Sequence, residues 1–415
     1  MVAIPQQQTL TDVEIKHKIN IGNQHFIDNK QAYYRYLLEE APVYQGKVSV
    51  LPAYLVSRYD DCLLVLKDSR FVRNRATATG GGGRLPFPMP KSVQLMAQSM
   101  IIEDDPEHRR LRNLVHKAFT PRSIVAIEKR VEQLTHELLD KAEAQGTVDL
   151  MDAYALPIPV TVIREMVGVP EDWMPRFRDS MQVLTKGLSG WSLFRTLFFD
   201  LRQSVSFMRE LIAYKKTNPA DDILTGLIQA EEAGETLTED ELVSLVFLLI
   251  VAGYETTVHL ITNSVLTLLQ HPQELDKLCQ NMDLMPSAVE EILRYAGPIN
   301  STKPQYATED IELHGVTIPQ GKTVFPLLGA ANRDPRQFEN PHVFDIERTP
   351  NKHLGFGQGI HYCLGAPLAR METKIALTTL LNRNPNLKLA VDANQLKVTK
   401  IPGWHRYESL PVTFG

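Results

Sequence analysis

The segment Gly355-Phe356-Gly357-Gln358-Gly359-Ile360-His361-Tyr362-Cys363-Leu364-Gly365-Ala366-Pro367-Leu368-Ala369-Arg370 constrains the chain most, because it presents one cysteine on a glycine-rich loop just ahead of a helix. Glycines let the backbone turn sharply and approach a ligand more closely than a Cβ would allow. Pro367 sits where a first helical turn tolerates it, and Leu364, Leu368, Met371 and Ile375 recur at i, i+4, i+7 and i+11, the spacing of a buried helical stripe. Cys363 is therefore expected at or just before a helix N-terminus, where backbone N–H groups and the positive end of the dipole favour a thiolate. A single cysteine among glycines is more often a small buried hydrophobe, so the loop alone leaves both readings open. A dinucleotide-binding turn fits poorly: Gly355-x-Gly357-x-Gly359 lacks the GxGxxG spacing and follows the polar coil of residues 348–353 rather than a strand.

Composition narrows the class. With 43% hydrophobic and 22% charged residues and a net charge of −5, the 415-residue chain is of ordinary globular type and offers no basic excess for nucleic acid. Cys62, Cys279 and Cys363 are too few and too far apart for a disulfide framework or paired metal ligands, which points to a reducing, cytoplasmic setting. The first thirty residues are polar and mixed in charge, without the apolar core of a signal peptide or a membrane anchor, and are expected to be loosely ordered.

Helical patterns dominate from about Pro106 onward, with short β-like segments at 48–57, 311–318, 323–328 and 387–391. The expected fold class is mainly α with small β-sheets, in a single domain over 1–415. Gly80-Gly81-Gly82-Gly83 and the proline-rich stretch to Pro90 read as a surface loop. The longest apolar run, 242–252, follows Thr238-Glu239-Asp240-Glu241, whose Thr and Glu are spaced as a capping box. It predicts a long helix to about Gln270 that runs through a protein core, eleven apolar residues being too few to span a bilayer.

Inside that helix, Ala252-Gly253-Tyr254-Glu255-Thr256-Thr257 places a glycine, an acid and hydroxyls among apolar neighbours. Glycine costs about 1 kcal/mol against alanine there, and a buried lone carboxylate costs far more. A kink with the carboxylate reaching solvent would account for these residues without any function. Ser287-Ala288-Val289-Glu290 reads as a second capping box, opening a helix with Glu291 and Arg294 one turn apart. His108 and Arg112 lie four apart on one helical face, suited to two contacts with one anionic group or simply to a solvated basic face.

Taken together, Phe-Gly-x-Gly-x-His-x-Cys-x-Gly-x-x-Leu-Ala-Arg resembles the haem-binding loop of the cytochrome P450 family. Three more stretches follow that family's order: the 252–257 segment, Glu291-x-x-Arg294, and Ala331-Asn332-Arg333-Asp334-Pro335 with Phe344-Asp345-Ile346-Glu347-Arg348. The resemblance runs from about Ala53 to Phe414 and implies the P450 fold, with haem b between a long central helix and a Cys-ligand loop. It implies Cys363 as the iron ligand, with Phe356, Gly357 and Gly365 shaping the loop. His361, His108 and Arg112 would meet haem propionates, Ala252 would let the helix pass over the haem face, and Thr256 with Glu255 would deliver protons. Glu291 and Arg294 would be a buried structural pair, with Arg348 as a third member. One departure stands out: two residues before Ala307 the family usually has an arginine for the other propionate, where this chain has Gln305, with Lys303 nearby.

The activity implied is insertion of one atom of dioxygen into a hydrophobic small molecule by hydroxylation or epoxidation. Electrons would come from NAD(P)H through a ferredoxin or flavodoxin and its reductase. Arg109, Arg110, Arg112 and Lys117 form a candidate docking face for that carrier. Leu245, Leu249 and Ile299, together with Met181, Leu188, Trp191, Leu193, Phe194, Phe198, Phe199 and Trp404, are candidate pocket residues, suiting a terpenoid, steroid, fatty acid or polyketide. A peroxide-dependent peroxygenase and a non-catalytic haem-binding sensor are the alternatives, and Glu255-Thr256 argues against both.

Overall fold

Residues 18–81, 90–97, 99–118, 121–182, 200–232 and 237–415 are described by the computed structural model. They gather into two compact units, neither of them a continuous stretch: Met1–Gly83, Thr135–Ala155 and Thr256–Gly415 form one, Arg84–Leu134 and Leu156–Glu255 the other.

Every strand among the described residues belongs to the first unit. In chain order they are β1 (Val43–Val48), β2 (Leu51–Val56), β3 (Phe71–Val72), β4 (Thr147–Asp149), β5 (Gln305–Ala307), β6 (Ile311–Leu313), β7 (Val316–Ile318), β8 (Thr323–Pro326), β9 (Lys388–Leu389) and β10 (Pro411–Thr413). They make a five-stranded sheet in the order β1-β2-β8-β5-β3, a three-stranded sheet β4-β10-β9 and the pair β6-β7. Successive residues of β2 point to opposite faces, and both faces are covered. Ala53 and Leu55 pack in a cluster with the helix Lys30–Glu39, while Tyr54 and Val56 pack in another with the helix Tyr59–Lys67.

The sequence pattern foretold most of these segments but not their turns. What reads as one strand over 48–57 is the return arm of a hairpin, because Ser49 adopts a left-handed φ of 55° and reverses the chain onto β1. The 311–318 segment is likewise two strands, turned by His314 and Gly315 at φ values of 52° and 73°. Helices also begin well before Pro106, at Gln24–Asp28.

Among its described residues the second unit is wholly helical. Leu201–Thr217 packs on Met174–Gln182 and Ile223–Glu232, and the latter packs on Glu107–Ala118 and Pro157–Val167. Lys215 and Asp222 form a buried ion pair at 2.5 Å beside Gly168, whose φ of 73° ends the Pro157–Val167 helix.

The helix Glu239–Gln270 starts in this unit and continues into the first. The expected capping box is present: the Thr238 N–H donates to the Glu241 carboxylate at 2.8 Å, and the Glu241 N–H donates to Thr238 Oγ1 at 3.2 Å. Its apolar character extends beyond the run first singled out, so by length and composition it could cross a membrane. Burial, rather than shortness, marks it as a core helix: 61% of its most apolar window is buried inside the protein.

Candidate functional site

Cys363 lies on a loop whose backbone is tied at both ends. Its N–H donates to the Phe356 carbonyl at 3.0 Å, and the Gly357 N–H donates to the Leu354 carbonyl at 2.8 Å. The helix Ala366–Arg383 follows, capped at Gly365 with Pro367 in its first turn. Gly359, at φ 75°, passes so close to the next element that a Cβ would stand 2.2 Å from the Leu66 carbonyl oxygen. Gly357 and Gly365 face the opposite situation, with no atom within 4 Å of an added Cβ. Cys363 is exposed.

The stripe expected on the following helix is distributed differently. Leu364, Leu368 and Met371 stay partly accessible, whereas Ile375 is buried and the helix beyond it is covered on nearly every side. An accessible thiol beside open glycine positions is a cradle that a flat group can enter. Among the described residues no three His, Cys, Asp or Glu side chains converge to hold a metal ion. A metal at Cys363 would thus take its remaining ligands from a cofactor, as haem iron does, and a thiolate is the donor such iron accepts. The residues present fit that group.

Three side chains outside the candidate site residues hold this loop. The Glu290 carboxylate accepts from Arg370 Nε at 2.6 Å and Nη2 at 2.9 Å, and from His353 Nε2 at 3.0 Å. The Gly355 N–H donates to His353 Nδ1 at 3.0 Å, which fixes the tautomer with its proton on Nε2, facing the carboxylate. Arg370 also stacks 4.5 Å over the Phe356 ring and donates to the Tyr362 hydroxyl at 3.3 Å. Burial alone would raise the Glu290 pKa; the hydrogen bonds from His353 and Arg370 outweigh it and bring it down to about 2. Glu290 therefore serves the cysteine loop instead of capping its own helix, which begins earlier, at Met285, with Pro286 in its first turn. The signal for Arg370 was its place in the cysteine motif; nothing local marks His353.

Next to Glu290, Glu291 faces a different set. Arg294 grips it through two bonds of 2.7 Å, Arg348 Nε adds a third at 3.2 Å, and Asn351 Nδ2 a fourth at 3.2 Å. Arg294 also donates to the carbonyls of Asn332, Pro341 and Val343 at 2.7–3.0 Å. This pair has no accessible surface and ties the 332–351 segment, which leads into the cysteine loop, to the Met285–Ala296 helix.

On the helix Glu239–Gln270 one face stays open. Leu248, Leu249, Ala252, Glu255 and Thr256 keep accessible surface at helical spacing, while residues 242–247 and 257–266 are buried. Ala252 is the most open of them. Gly253 plays a different part, since a Cβ there would meet Ile163 Cδ1 at 2.4 Å, and this glycine therefore lets the helix Pro157–Val167 pack close. Tyr254 turns inward and donates to the Met181 carbonyl at 3.1 Å. Leu245 lies on the open face but is only 1% accessible, and so lines no open space. Ile299 is partly buried against the five-stranded sheet and bridges to Trp404. Met181 is buried in the second unit, and Leu188, Trp191, Leu193, Phe194, Phe198 and Phe199 lie outside the described residues.

His108 and Arg112 share the helix Glu107–Ala118 in the second unit. His108 is buried, with Nδ1 3.7 Å from the Asp105 carboxylate, and Arg112 is half-buried. The neighbouring charges are not a bare basic face. Arg110 pairs with Glu107 at 2.8 Å and with Glu241 of the long helix, and Arg109 pairs with Asp105 at 2.7 Å. Arg110 is thus tied to two carboxylates and stays partly accessible; the Lys117 side chain lies outside the described residues. In the first unit, Gln305 is buried. Lys303 retains accessible surface although burial, followed by the Arg73 charge, lowers its ammonium pKa.

Known proteins give this arrangement a family. The cytochrome P450 family pattern matches residues 192–385. Cytochrome P450 CYP107DY1 of Priestia megaterium is 42% identical over 88% of this chain and 90% of its own. The crystal structure of the bacillaene polyketide synthase P450 PksS of Bacillus subtilis superposes with a TM-score of 0.88 at 37% identity, covering 96% of this chain and all of that one. P450BioI, solved in complex with hexadec-9Z-enoic acid ligated acyl carrier protein, gives 0.85 at 39% identity over 94% of this chain and all of its own. Membership implies haem, a redox partner and a hydrophobic substrate. The chain belongs to the cytochrome P450 family of haem-thiolate monooxygenases.

Proposed function

We propose that this protein oxidises a long hydrophobic acyl or polyketide chain laid along the open stripe of the Glu239–Gln270 helix, with Cys363 as the iron ligand. The stripe carries the reading: Leu248, Leu249 and Ala252 give an apolar track, and the track ends at an acid and an alcohol. The relatives named for polyketide biosynthesis and the acyl-carrier complex of P450BioI support that substrate class.

Haem, when bound, supplies the activation of dioxygen, which a thiolate ligand promotes by donating electron density. The rest falls to the chain. The Glu290 brace keeps the Cys363 loop in place, and His361, His108 and Arg112 hold the propionates by charge-assisted hydrogen bonds. The Thr256 hydroxyl positions a water and hands on a proton, while Glu255 passes protons inward from solvent. The leucines keep water from the carbon being oxidised. Electrons originate in NAD(P)H and arrive through a ferredoxin or flavodoxin and its reductase in the cytoplasm. Both units serve one catalytic domain, since neither is made of continuous chain.

The deciding experiment is the carbon monoxide spectrum of the dithionite-reduced protein, followed by titration with hexadec-9-enoic acid. A strongly red-shifted Soret band that disappears in Cys363→Ser, and a high-spin shift on adding the acid, are expected. A histidine-type band or no haem overturns the cysteine assignment, and an unmoved spectrum with acyl chains and macrolides alike overturns the substrate class. Thr256→Ala should keep consuming oxygen while product per reducing equivalent falls by about tenfold or more. Unchanged coupling would remove Thr256 from the relay.

A further inference from the structure

Thr256 is followed on its own helix by two buried polar side chains, His259 and Asn263. They stand three and seven residues beyond it, a spacing that sets all three on one helical face. Long helical side chains lean back over the preceding turn, so His259 leans toward the turn of Thr256 and Asn263 toward that of His259. His259 is 6% accessible and Asn263 1%. Both meet the C-terminal segment of the same unit. The His259 ring stands edge-on to Trp404 with 6.4 Å between centroids, and Asn263 Nδ2 donates to the carbonyls of Ala296 and His405 at 2.9 Å each.

Three buried atoms around this contact have no partner. Both Asn263 amide hydrogens are spent on those carbonyls, so its Oδ1 must accept, and no donor reaches it among the described residues. His259 Nδ1 and His405 Nδ1 are buried and unpartnered in the same way. Native proteins rarely leave such atoms unanswered, because each forfeits its bonds to solvent on folding. One water supplies what the three lack: it has two hydrogens to donate and lone pairs to accept with, and a buried water makes about three hydrogen bonds. An anion would face the lone pairs of Asn263 Oδ1. Burial also keeps both rings neutral, lowering the His259 pKa to about 4, while burial and then the charges of Lys30, Arg333 and His259 hold His405 well below its ordinary value.

We propose that His259 Nδ1, Asn263 Oδ1 and His405 Nδ1 bind a buried water, and that His259, steadied by that water, is a positioning residue for the Thr256 hydroxyl. A neutral imidazole donates from one nitrogen and accepts at the other, so a water fixed on Nδ1 fixes the tautomer and gives Nε2 one polarity. A hydroxyl rotates to suit its neighbours, and a neighbour of fixed polarity gives it one direction. The positioning role rests on the task proposed for Thr256 above. The water is a structural one, distinct from the water that Thr256 would present for proton delivery.

The test has two arms. In a high-resolution crystal structure of the wild-type holoenzyme, an ordered water bonded to His259 Nδ1 and to at least one of the other two atoms is expected; its absence overturns the proposal. The second arm measures product per reducing equivalent with hexadec-9-enoic acid. His259→Phe keeps a ring against Trp404 but removes both nitrogens, and should lower that ratio about threefold, less than Thr256→Ala because it acts at one remove from the proton. His259→Gln should recover most of the loss. In a Thr256→Ala background His259→Phe should cost nothing more, since residues that act as a unit are not additive. Unchanged coupling in His259→Phe, or an equal further loss in that background, overturns the positioning role. His405→Phe removes a water contact from another element and covers the case in which His259→Phe does not fold. It should lower coupling in the same way, and wild-type coupling there overturns the proposal. Wild-type coupling in Thr256→Ala would instead overturn the reading of Thr256, a result distinct from the others because the crystal arm does not depend on it.

Discussion

Glu291 and Glu372 are both buried without accessible surface, on the Met285–Ala296 and Ala366–Arg383 helices, yet the fold treats them in opposite ways. Glu291 receives Arg294, Arg348, Asn351 and the Asp345 N–H, so its lone pairs are taken up by donors. Among the described residues Glu372 has no hydrogen-bond partner for either oxygen, and burial raises its pKa to about 8. Burial by itself therefore does not decide how a carboxyl is held; the donors around it do. The first acid is an ionic hub that fixes the segment leading into the cysteine loop. The second has its carboxyl pKa raised by burial, at a place where an ion would meet no donor among the described residues.

Breaking the hub should have the largest effect. Arg294→Met leaves a buried carboxylate with fewer donors and frees three backbone carbonyls, so a loss of about 3–5 kcal/mol is expected in urea unfolding, with little haem-loaded protein recovered. A change under about 1 kcal/mol would mean that Arg348 and Asn351 suffice. Glu290→Gln comes next, as the intermediate case between the two acids. It keeps the shape but weakens the grip of Arg370 and His353, for an expected loss of about 1–3 kcal/mol, toward the lower end because Glu290 is partly open to solvent. Its folded pKa of about 2 lies below the unfolded 4.5, so the Glu290 contribution is present above pH 4.5 and fades as pH falls toward 2. The acid limb of the stability curve should flatten in the variant, and the carbon monoxide complex should convert faster to its inactive form.

Glu372→Gln sharpens the contrast with the smallest change. The folded pKa of about 8 exceeds the ordinary 4.5, so the folded state binds the extra proton and stability falls as pH rises from 4.5 through 8. The slope due to this one group is at most ~1.4 kcal/mol per pH unit, and the neutral amide should remove it. Denaturation curves at pH 5 and pH 8 measure it directly; an unchanged slope would show that Glu372 does not titrate in that window.

The same division runs through what could be read before the fold was known. The cysteine loop, the capped start of the long helix, the acid-alcohol pair and Glu291-x-x-Arg294 were all legible, because each is a contiguous stretch whose geometry depends on its own backbone. Ser287-x-x-Glu290 misled for the same reason. The spacing was that of a capping box, but the donors that claim Glu290 come from His353 and Arg370, 63 and 80 residues away. Gly253, which on its own reads as part of a kink, is clearance for Ile163. Arg110 looked free to meet a partner until Glu241 took it.

By itself, then, the amino-acid sequence determined the mainly helical class, the cysteine on its glycine loop and the capped, apolar long helix with an acid and an alcohol within it, since propensity, capping and glycine conformation act over a few residues. The tertiary structure alone decided which buried acid meets donors, which face of the long helix stays open and which distant residues claim Glu290. Those outcomes depend on desolvation and on which donors reach a buried group, and both are set by residues far apart in the chain.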